Sequence, residues 1–198
     1  MGIIRIIDHG SVELSNLNRQ VLYWDEDIGR KKVTSAVEKL KKLNPEIKIE
    51  AMEETITAAN VTQLVAGFDL VVDAMDNLPT RYLLNKAALE KDIPFFHGAV
   101  YGFEGRAMTI IPGKTACLEC VYHGATTPEE KFPVIGVAPA IIGCIQAAEV
   151  IKYIVGVGEL LTDKLLIYDG LNSKFTESKV KKDPNCEHCG HSTGESRK

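Results

Sequence analysis

The chain has 198 residues, of which 45% are hydrophobic and 25% are charged, an ordinary composition for soluble globular proteins. Its formal net charge of -4 and its pI near 5.8 lack the basic excess of nucleic-acid-binding proteins. No run approaches the roughly 18 consecutive apolar residues of a membrane span, and the N-terminus has no signal-peptide pattern, so we expect a cytoplasmic protein without nucleic-acid or membrane partners.

Apolar runs and helical periodicity predict an alternation of strands and helices along the chain. Strands are predicted at residues 2–8, 47–52, 68–76, 93–100, 105–113, 164–170 and 173–180. Helices are predicted at residues 29–43, 57–66, 78–92 and 135–155. The unbroken apolar run at 68–76 is typical of a parallel strand covered on both faces. The segment 135–155 is apolar nearly all round, which predicts a buried helix.

This alternation predicts an α/β fold with a Rossmann-like, mostly parallel sheet and helices on both faces. The last two strands are predicted to form a closing antiparallel pair. We expect one domain over residues 1–190, with a flexible loop at 123–133 and a disordered tail at 191–198.

Polar clusters follow several of the predicted strands. In parallel sheets, ligands bind beyond the carboxyl ends of the strands, so these clusters are candidates for a site. They are Asp8 with the stretch SVELSNLNRQ at 11–20, then Asp73, Asp76 and Asn77, and finally His97 with Gly98.

Four of the five cysteines form two CxxC pairs, Cys117 with Cys120 and Cys186 with Cys189. Two such pairs, distant in the chain, favour a closed tetrahedral zinc site that pins the C-terminal tail to the body. Redox chemistry is the alternative, and the neighbouring histidines 188 and 191 could compete as ligands. The fifth cysteine, Cys144, lies in the apolar helix and is interpreted as a packing residue.

Several motifs follow one another in a fixed order: VELSNLNRQ, DIGRKK, LNP, VVDAMDN, HGA, EGR, CLEC, IQAAEVIK and CEHCG. Together they resemble the ThiF/MoeB/HesA family of sulfur-carrier protein adenylyltransferases, relatives of the ubiquitin-activating enzymes, from about residue 3 to residue 190. The resemblance implies ATP-dependent adenylylation of the C-terminal glycine of a ubiquitin-like or sulfur-carrier protein that ends in Gly-Gly. It also implies a homodimer, which is typical of the smaller relatives.

The resemblance assigns catalytic roles to three residues. Arg19 would hold the nucleotide phosphates with its bidentate, permanently charged guanidinium. Lys32 would reach the α-phosphate, and Asp76 would hold Mg²⁺, a hard cation that prefers carboxylate oxygens. These groups would stabilise the negative charge that develops when a carboxylate attacks the α-phosphate.

Four further residues are implied to bind the nucleotide. Asp8 would accept hydrogen bonds from the ribose hydroxyls, and Asn16 and Gln20 would supply neutral hydrogen bonds around the phosphates. Asn77, beside Asp76, has a supporting role. Arg81, near the same strand end, is given a supporting role only and is not counted among them.

Each candidate also has a structural interpretation. Arg19 could tie down its loop, and Lys32 could belong to the solvated face of a lysine-rich helix. Asp73 and Asp76 could cap the helix that begins near residue 78. For Asp73 and His97 the structural interpretation is preferred.

The chain departs from the family pattern in three ways. The glycine-rich strand, turn and helix of the family are absent, for which the alternatives are a truncated chain, a partner that supplies the segment, or a degenerate form, and truncation is preferred. Residues 121–140 contain no cysteine, so we expect adenylylation without a thioester on this chain. Gly10 replaces a second carboxylate of some relatives.

Two other functions compete with adenylylation. One is a non-catalytic or degenerate family member that acts as a carrier-binding or partner subunit. The other is a nicotinamide-dependent oxidoreductase, which shares the sheet but requires a glycine fingerprint that this sequence lacks.

Overall fold

The computed structural model describes residues 2–125 and 133–190, so the predicted tail at 191–198 and most of the predicted loop at 123–133 lie outside the described residues. The chain divides into two compact units between Ile56 and Thr57. Each unit has its own β-sheet.

The first unit is a strand–helix–strand arrangement with a long loop before its helix. Its elements are β1 (Ile3–Ile7), 3-10 turns at Leu14–Asn16 and Asp25–Asp27, α1 (Lys32–Leu43) and β2 (Lys48–Met52). β1 and β2 pair in parallel, with Ile3 opposite Lys48 and Ile7 opposite Met52. The crossover helix makes this parallel pairing possible.

Helix α1 forms where it was predicted but begins three residues later. Gly29 has a φ of 86°, a left-handed conformation that favours glycine and keeps the preceding segment out of the helix. α1 buries Val33 and Ala36, directs its lysines away from them, and ends at Leu43. The end is imposed by Pro45, because the residue before a proline is disfavoured in the helical region.

The second unit is an α/β arrangement around a mixed, five-stranded sheet. Its elements are α2 (Val61–Val65), β3 (Val71–Val72), α3 (Leu78–Glu90), β4 (Phe95–Tyr101), β5 (Glu104–Ile110), α4 (Leu118–Tyr122), α5 (Val137–Val155), β6 (Lys164–Asp169) and β7 (Lys174–Lys179). The strand order is β3-β4-β5-β6-β7, with β3 and β4 parallel and the other pairs antiparallel.

The predicted α/β class is therefore confirmed, and the predicted antiparallel pair is β6 with β7. Antiparallel pairing begins one hairpin earlier than predicted, at β4 and β5. Only Gly102 and Phe103 connect these two strands, whereas a parallel neighbour needs a crossover of about a dozen residues or more.

Strand β3 is far shorter than the strand predicted at 68–76, so the predicted bounds of this strand are wrong. Val71 and Val72 pair with β4, and the Asp73 N–H still donates to Phe96 O over 2.9 Å. The Asp73 side chain then accepts the N–H of Met75, which turns the backbone as aspartate commonly does. Val72 is exposed, so this strand is not covered on both faces.

Helix α5 packs closely against one face of the sheet. A Cβ atom at Gly98 would lie 2.3 Å from the Gln146 side chain, and one at Gly105 would lie 2.4 Å from Ile142. Glycine is therefore required at both positions for the helix to approach this closely. Side chains of β4 that point to the other face contact α4.

The prediction of a buried helix at 135–155 holds for one side of α5 only, the side that contacts the sheet. Val137, Ile151, Ile154 and Val155 are exposed. Cys144 is exposed as well, so its interpretation as a packing residue is wrong. By length and composition alone α5 could cross a membrane, a property that the core helices of soluble proteins share.

Candidate functional site

The loop between β1 and α1 brings Asp8 and Lys32 together. Asp8 Oδ1 accepts a hydrogen bond of 2.7 Å from the Gly10 N–H, and Lys32 Nζ lies 3.8 Å from Asp8 Oδ2. The Lys32 N–H donates to Gly10 O over 3.1 Å. Lys32 is also the first residue of α1, so its ammonium stands at a helix N-terminus, where anions bind favourably.

Gly10 leaves room between the carboxylate and the ammonium. A Cβ atom there would lie 3.1 Å from Asp8 Oδ1 and 3.7 Å from Lys32 Nζ. A larger side chain at this position would crowd both charged groups. The glycine, which departs from the pattern of some relatives, therefore keeps the space beside Asp8 and Lys32 open.

The 3-10 turn at Leu14–Asn16 holds Asn16 and Arg19. Asn16 is buried, and its Oδ1 accepts the N–H of Glu13 over 3.1 Å. Arg19 Nη1 donates to Ser15 O and to Asn18 Oδ1, both at 2.9 Å. Arg19 thus ties its loop, as the structural interpretation expected. In the described part of the chain it forms no ion pair with a carboxylate, so its charge is available to an anion.

Gln20 has a buried side-chain oxygen that lacks a partner. Its Oε1 accepts no hydrogen bond from any described residue, whereas most buried polar atoms in proteins are hydrogen-bonded. An incoming ligand with an N–H or O–H donor would satisfy it. The loop is therefore suited to a polar ligand that donates a hydrogen bond. The predicted contact of Gln20 with phosphates would have to use its side-chain N–H groups, because phosphate oxygens accept hydrogen bonds.

Tyr23 was not singled out from the sequence, which has no motif that marks it. Burial and the negative charges of Asp8 and Asp27 raise the pKa of Tyr23 to about 12. The phenol is therefore neutral at physiological pH and can donate its O–H proton. Tyr23 closes the turn that follows Gln20, since its N–H donates to Gln20 O over 3.0 Å.

Asp27 anchors the end of this loop to α1 and was likewise missed. Its fully buried carboxylate accepts hydrogen bonds from the Trp24 N–H over 2.8 Å, from Arg30 Nη1 over 3.0 Å, and from Ser35 and Lys39. The bonds from Lys39 and Ser35 hold the pKa of Asp27 well below its ordinary value. The carboxylate is therefore charged, and its four donors fix the loop that follows Arg19.

In the second unit, Asp76 and Asn77 lie between β3 and α3. Asn77 is the N-cap of α3, and its Oδ1 accepts the Thr80 N–H over 2.9 Å. Its Nδ2 donates to Asp76 Oδ1 over 3.2 Å. Asp76 is exposed, forms no ion pair in the described part of the chain and does not cap the helix. The capping alternative for Asp76 is therefore wrong, and its carboxylate oxygens suit Mg²⁺.

The surroundings of Asp73 and His97 agree with the structural interpretation that was preferred for both residues. Both are buried, with 1% of their surface exposed. Asp73 Oδ2 accepts hydrogen bonds from Arg81 Nη1 over 2.5 Å and from His97 Nδ1 over 2.7 Å. Burial lowers the pKa of His97, although the Asp73 carboxylate opposes this effect. Neither side chain caps α3.

The four cysteines of the two CxxC pairs converge into one buried cluster, as predicted. Their sulfur atoms all lie within 4.8 Å of one another. The Cys117 and Cys186 sulfurs are 3.6 Å apart, and those of Cys120 and Cys189 are 3.5 Å apart. Disulfides need about 2.05 Å, whereas thiolates on a tetrahedral zinc ion lie about 3.8 Å apart. The donor set and its spacing therefore fit zinc.

Burial raises the pKa of the Cys117 thiol to about 11. A cation in the cluster would reverse this effect, because a thiolate is stabilised by the positive charge that it coordinates. The Cys117 thiol thus ionises favourably only with a metal ion beside it.

Asn85 of α3 connects the two cysteine segments and was missed by the sequence reasoning. It is fully buried. Its Oδ1 accepts the Leu118 N–H over 3.2 Å, and its Nδ2 lies 3.2 Å from His188 Nδ1. The contact with Asn85 engages His188 Nδ1, and the described cluster consists of the four cysteines without His188, while His191 lies outside the described residues.

The predicted site residues thus fall into two groups. Asp8, Asn16, Arg19, Gln20 and Lys32 belong to the first unit, in one loop and at the start of one helix. Asp76, Asn77 and the four cysteines belong to the second unit.

Known proteins resemble this chain over nearly its whole length. The SAMP-activating enzyme E1 of Haloferax volcanii is 40% identical over 195 residues, which are 96% of this chain and 72% of that protein. The sulfur carrier protein adenylyltransferase of Thermus thermophilus is 38% identical over 200 residues, which are 96% of this chain and 74% of that protein.

A solved structure of E. coli MccB with ATP is 27% identical and superposes with a TM-score of 0.79, over 96% of this chain and 59% of that chain. The chain thus spans less than two thirds of the MccB chain. The ThiF family matches residues 1–188. With that match over most of its length, the chain belongs to the ThiF family.

Proposed function

We propose that this chain takes part in ATP-dependent adenylylation of the C-terminal glycine of a ubiquitin-like or sulfur-carrier protein. The observation that supports this most directly is the pairing of Asp8 with Lys32 across Gly10, and the unpartnered Gln20 Oε1 of the same loop adds to it. A carboxylate for ribose hydroxyls and an ammonium for phosphates are the groups that a nucleotide needs. The two curated relatives bear names of carrier-activating enzymes.

The reaction is a displacement at phosphorus. A carboxylate oxygen of the carrier's last glycine attacks the α-phosphorus of ATP, the bond from that phosphorus to the bridging oxygen breaks, and pyrophosphate leaves. Negative charge develops on the α-phosphate oxygens and on the leaving group. Lys32 would stabilise the former, and Arg19 would hold the phosphates through its bidentate donor geometry.

The remaining loop residues would orient the nucleotide. Asp8 would accept hydrogen bonds from the ribose hydroxyls, and Gln20 would accept one from a donor group of the nucleotide at its free Oε1. Asn16 would act through the loop, since its Oδ1 already accepts the Glu13 N–H. Such prior orientation lowers the entropic cost of bringing two substrates together.

Asp76 would hold Mg²⁺, with Asn77 as its neighbour. The bound ion would neutralise phosphate charge. The exposed carboxylate, which is free of basic partners in the described residues, supports this role. The second metal in this proposal is zinc at Cys117, Cys120, Cys186 and Cys189, with a structural role, because four sulfur donors leave no open coordination position.

The proposed enzyme is a cytoplasmic homodimer that binds a carrier with a C-terminal Gly-Gly. A reducing compartment keeps the four thiols available to zinc. The exposed side of α5 supports dimerisation, because it combines small residues with large apolar ones. The exposed residues on this helix include Val137, Ala140, Gly143, Cys144, Ala147, Ala148, Ile151, Ile154 and Val155.

ATP–pyrophosphate exchange tests the function. Exchange that requires a carrier ending in Gly-Gly, and fails with the same carrier shortened by one glycine, supports the proposal. Asp76→Ala should abolish Mg²⁺-dependent nucleotide binding and leave the zinc content unchanged, and a loss of zinc would show that Asp76 is structural. Carrier binding without exchange would instead indicate a non-catalytic carrier-binding subunit.

A further inference from the structure

The peptide groups of Met75, the residue immediately before Asp76, are held by two buried side chains. Asp73 Oδ1 accepts the Met75 N–H over 2.9 Å, and the Arg81 guanidinium donates to the Met75 carbonyl oxygen. The same guanidinium also donates to Gly98 O on β4. The backbone that leads into Asp76 is therefore fixed to both α3 and the sheet.

Arg81 is itself held in place by the Asp73 carboxylate, which also contacts His97. Asp73 Oδ2 lies 2.5 Å from Arg81 Nη1 and 2.7 Å from His97 Nδ1. His97 Nε2 lies 3.0 Å from the Tyr122 hydroxyl of α4. Asp73, Arg81 and His97 are all nearly excluded from solvent, with at most 6% exposed. A neutral imidazole satisfies both neighbours, because Nδ1–H donates to Asp73 and Nε2 accepts from Tyr122.

Asp76 has little side-chain support of its own. Its carboxylate is exposed and, among the described residues, accepts one hydrogen bond of 3.2 Å, from the adjacent Asn77 Nδ2. Asn77 in turn is fixed as the N-cap of α3. The direction of the Asp76 side chain is therefore set by the backbone on both sides of it, and on the Met75 side that backbone is held by Asp73 and Arg81.

We propose that Arg81, oriented by Asp73 and His97, is a positioning residue that aims the Asp76 carboxylate at its metal ion through the backbone of Met75. The proposal rests on the proposed function, in which Asp76 binds Mg²⁺. Groups that orient a metal ligand commonly contribute 10- to 100-fold to metal affinity. A merely structural network would affect folding and leave the affinity of the folded protein unchanged.

The variant Arg81→Lys tests this distinction. A lysine keeps the positive charge but cannot direct planar donors at Asp73, Gly98 and Met75 at once. We expect about a 10-fold or greater rise in the Mg²⁺ concentration that half-saturates pyrophosphate exchange. Binding of Mn²⁺–ATP, followed by water-proton relaxation without any carrier, should weaken by a similar factor. Arg5→Lys, which changes a two-point contact with Glu50 on the surface of β1 and β2, is the matched control and should change neither value.

A second pair of variants tests the proposal if the Arg81→Lys protein does not fold. His97→Asn places an amide donor where Nδ1 donates to Asp73, whereas His97→Leu removes that donor. We expect Mn²⁺–ATP affinity within about threefold of wild type for His97→Asn and at least about a 10-fold loss for His97→Leu. Unchanged Mn²⁺–ATP affinity in a folded, zinc-containing Arg81→Lys or His97→Leu protein would overturn the proposal. If the wild-type protein itself binds no Mn²⁺–ATP, the proposed function fails, and the positioning role fails with it.

Discussion

Lys32 Nζ lies 3.8 Å from Asp8 Oδ2, across the backbone of Gly10. The distance is at the outer limit of an ion pair, and both side chains are partly exposed. A pair this long, open to solvent mainly on its Asp8 side, contributes little to stability. The arrangement therefore leaves the ammonium free to exchange its carboxylate neighbour for a phosphate.

Lys32→Ala should lower kcat/KM for ATP in pyrophosphate exchange by about 10- to 100-fold, since a hydrogen bond to a charged group is worth about 1.5–3 kcal/mol. The melting temperature should stay within about 2 °C of wild type. The adjacent Lys31→Ala is the control, because within the described ranges the ion pair of Lys31 is with Glu53, on the surface. Equal losses in both variants would mean that general positive charge, rather than the position of Lys32, supports the reaction.

Asp27→Asn should destabilise the first unit. The charged carboxylate binds Lys39 and Arg30, and the neutral amide would leave both cations without their partner. Because the folded-state pKa of Asp27 is lowered, its stabilisation is full above the ordinary pKa near 4 and is lost as the pH falls below that value. Acid titrations followed by circular dichroism should show that the variant loses less stability than wild type as the pH falls below this value. Asp25→Asn, which changes an exposed residue of the same turn, should behave as wild type.

Cys186→Ser should remove the metal and lower the melting temperature by at least about 10 °C, because the binding energy of a structural zinc ion is folding energy. Atomic absorption gives the zinc content, and calorimetry gives the melting temperature. Cys144→Ser is the control, since Cys144 is exposed and outside the cluster. A stable Cys186→Ser protein that retains stoichiometric zinc would contradict a four-sulfur site.

The elements with a clear periodic pattern were predictable. They include the lysine-rich α1 and also α3, whose Asn77 and Pro79 are typical of a helix start. The cysteine cluster was predictable because two CxxC pairs can place their four sulfur atoms around one tetrahedral metal ion. In contrast, the end of β3 depends on one side-chain hydrogen bond, from the Met75 N–H to Asp73. Apolar runs contain no signal for such a bond.

Two other features were beyond the reach of sequence patterns. Helix α5 is apolar on all sides, so its composition does not show which side contacts the sheet. Asn85 and His188 are 103 residues apart, and only the fold brings them into contact. The same is true of Arg81 and His97, whose importance follows from shared contact with Asp73 rather than from their spacing.

His97 should make the folded protein less stable as the pH falls below about 6.5. Burial lowers its folded-state pKa, so the unfolded chain takes up the proton first. Its contribution is therefore full above the unfolded pKa and declines below it, by at most about 1.4 kcal/mol per pH unit. Urea unfolding at pH 7.5, 6.5 and 5.5 should show a steeper decline for wild type than for His97→Asn. Parallel declines would assign the pH dependence to other histidines.

The exposed side of α5 should form the proposed dimer interface. Ala148 is exposed and lies at the C-terminal end of the stretch of small residues that begins at Ala140, so a glutamate there would place a charge between two closely approaching helices. We expect Ala148→Glu to convert a dimer into a monomer in sedimentation velocity, because a buried unpaired charge costs several kcal/mol. Ala58→Glu, at an exposed position before α2, should leave the dimer intact. A wild-type monomer, or a dimer that persists in Ala148→Glu, would exclude this face as the interface, whereas a monomer seen only for Ala148→Glu would connect the apolar side of α5 directly to assembly.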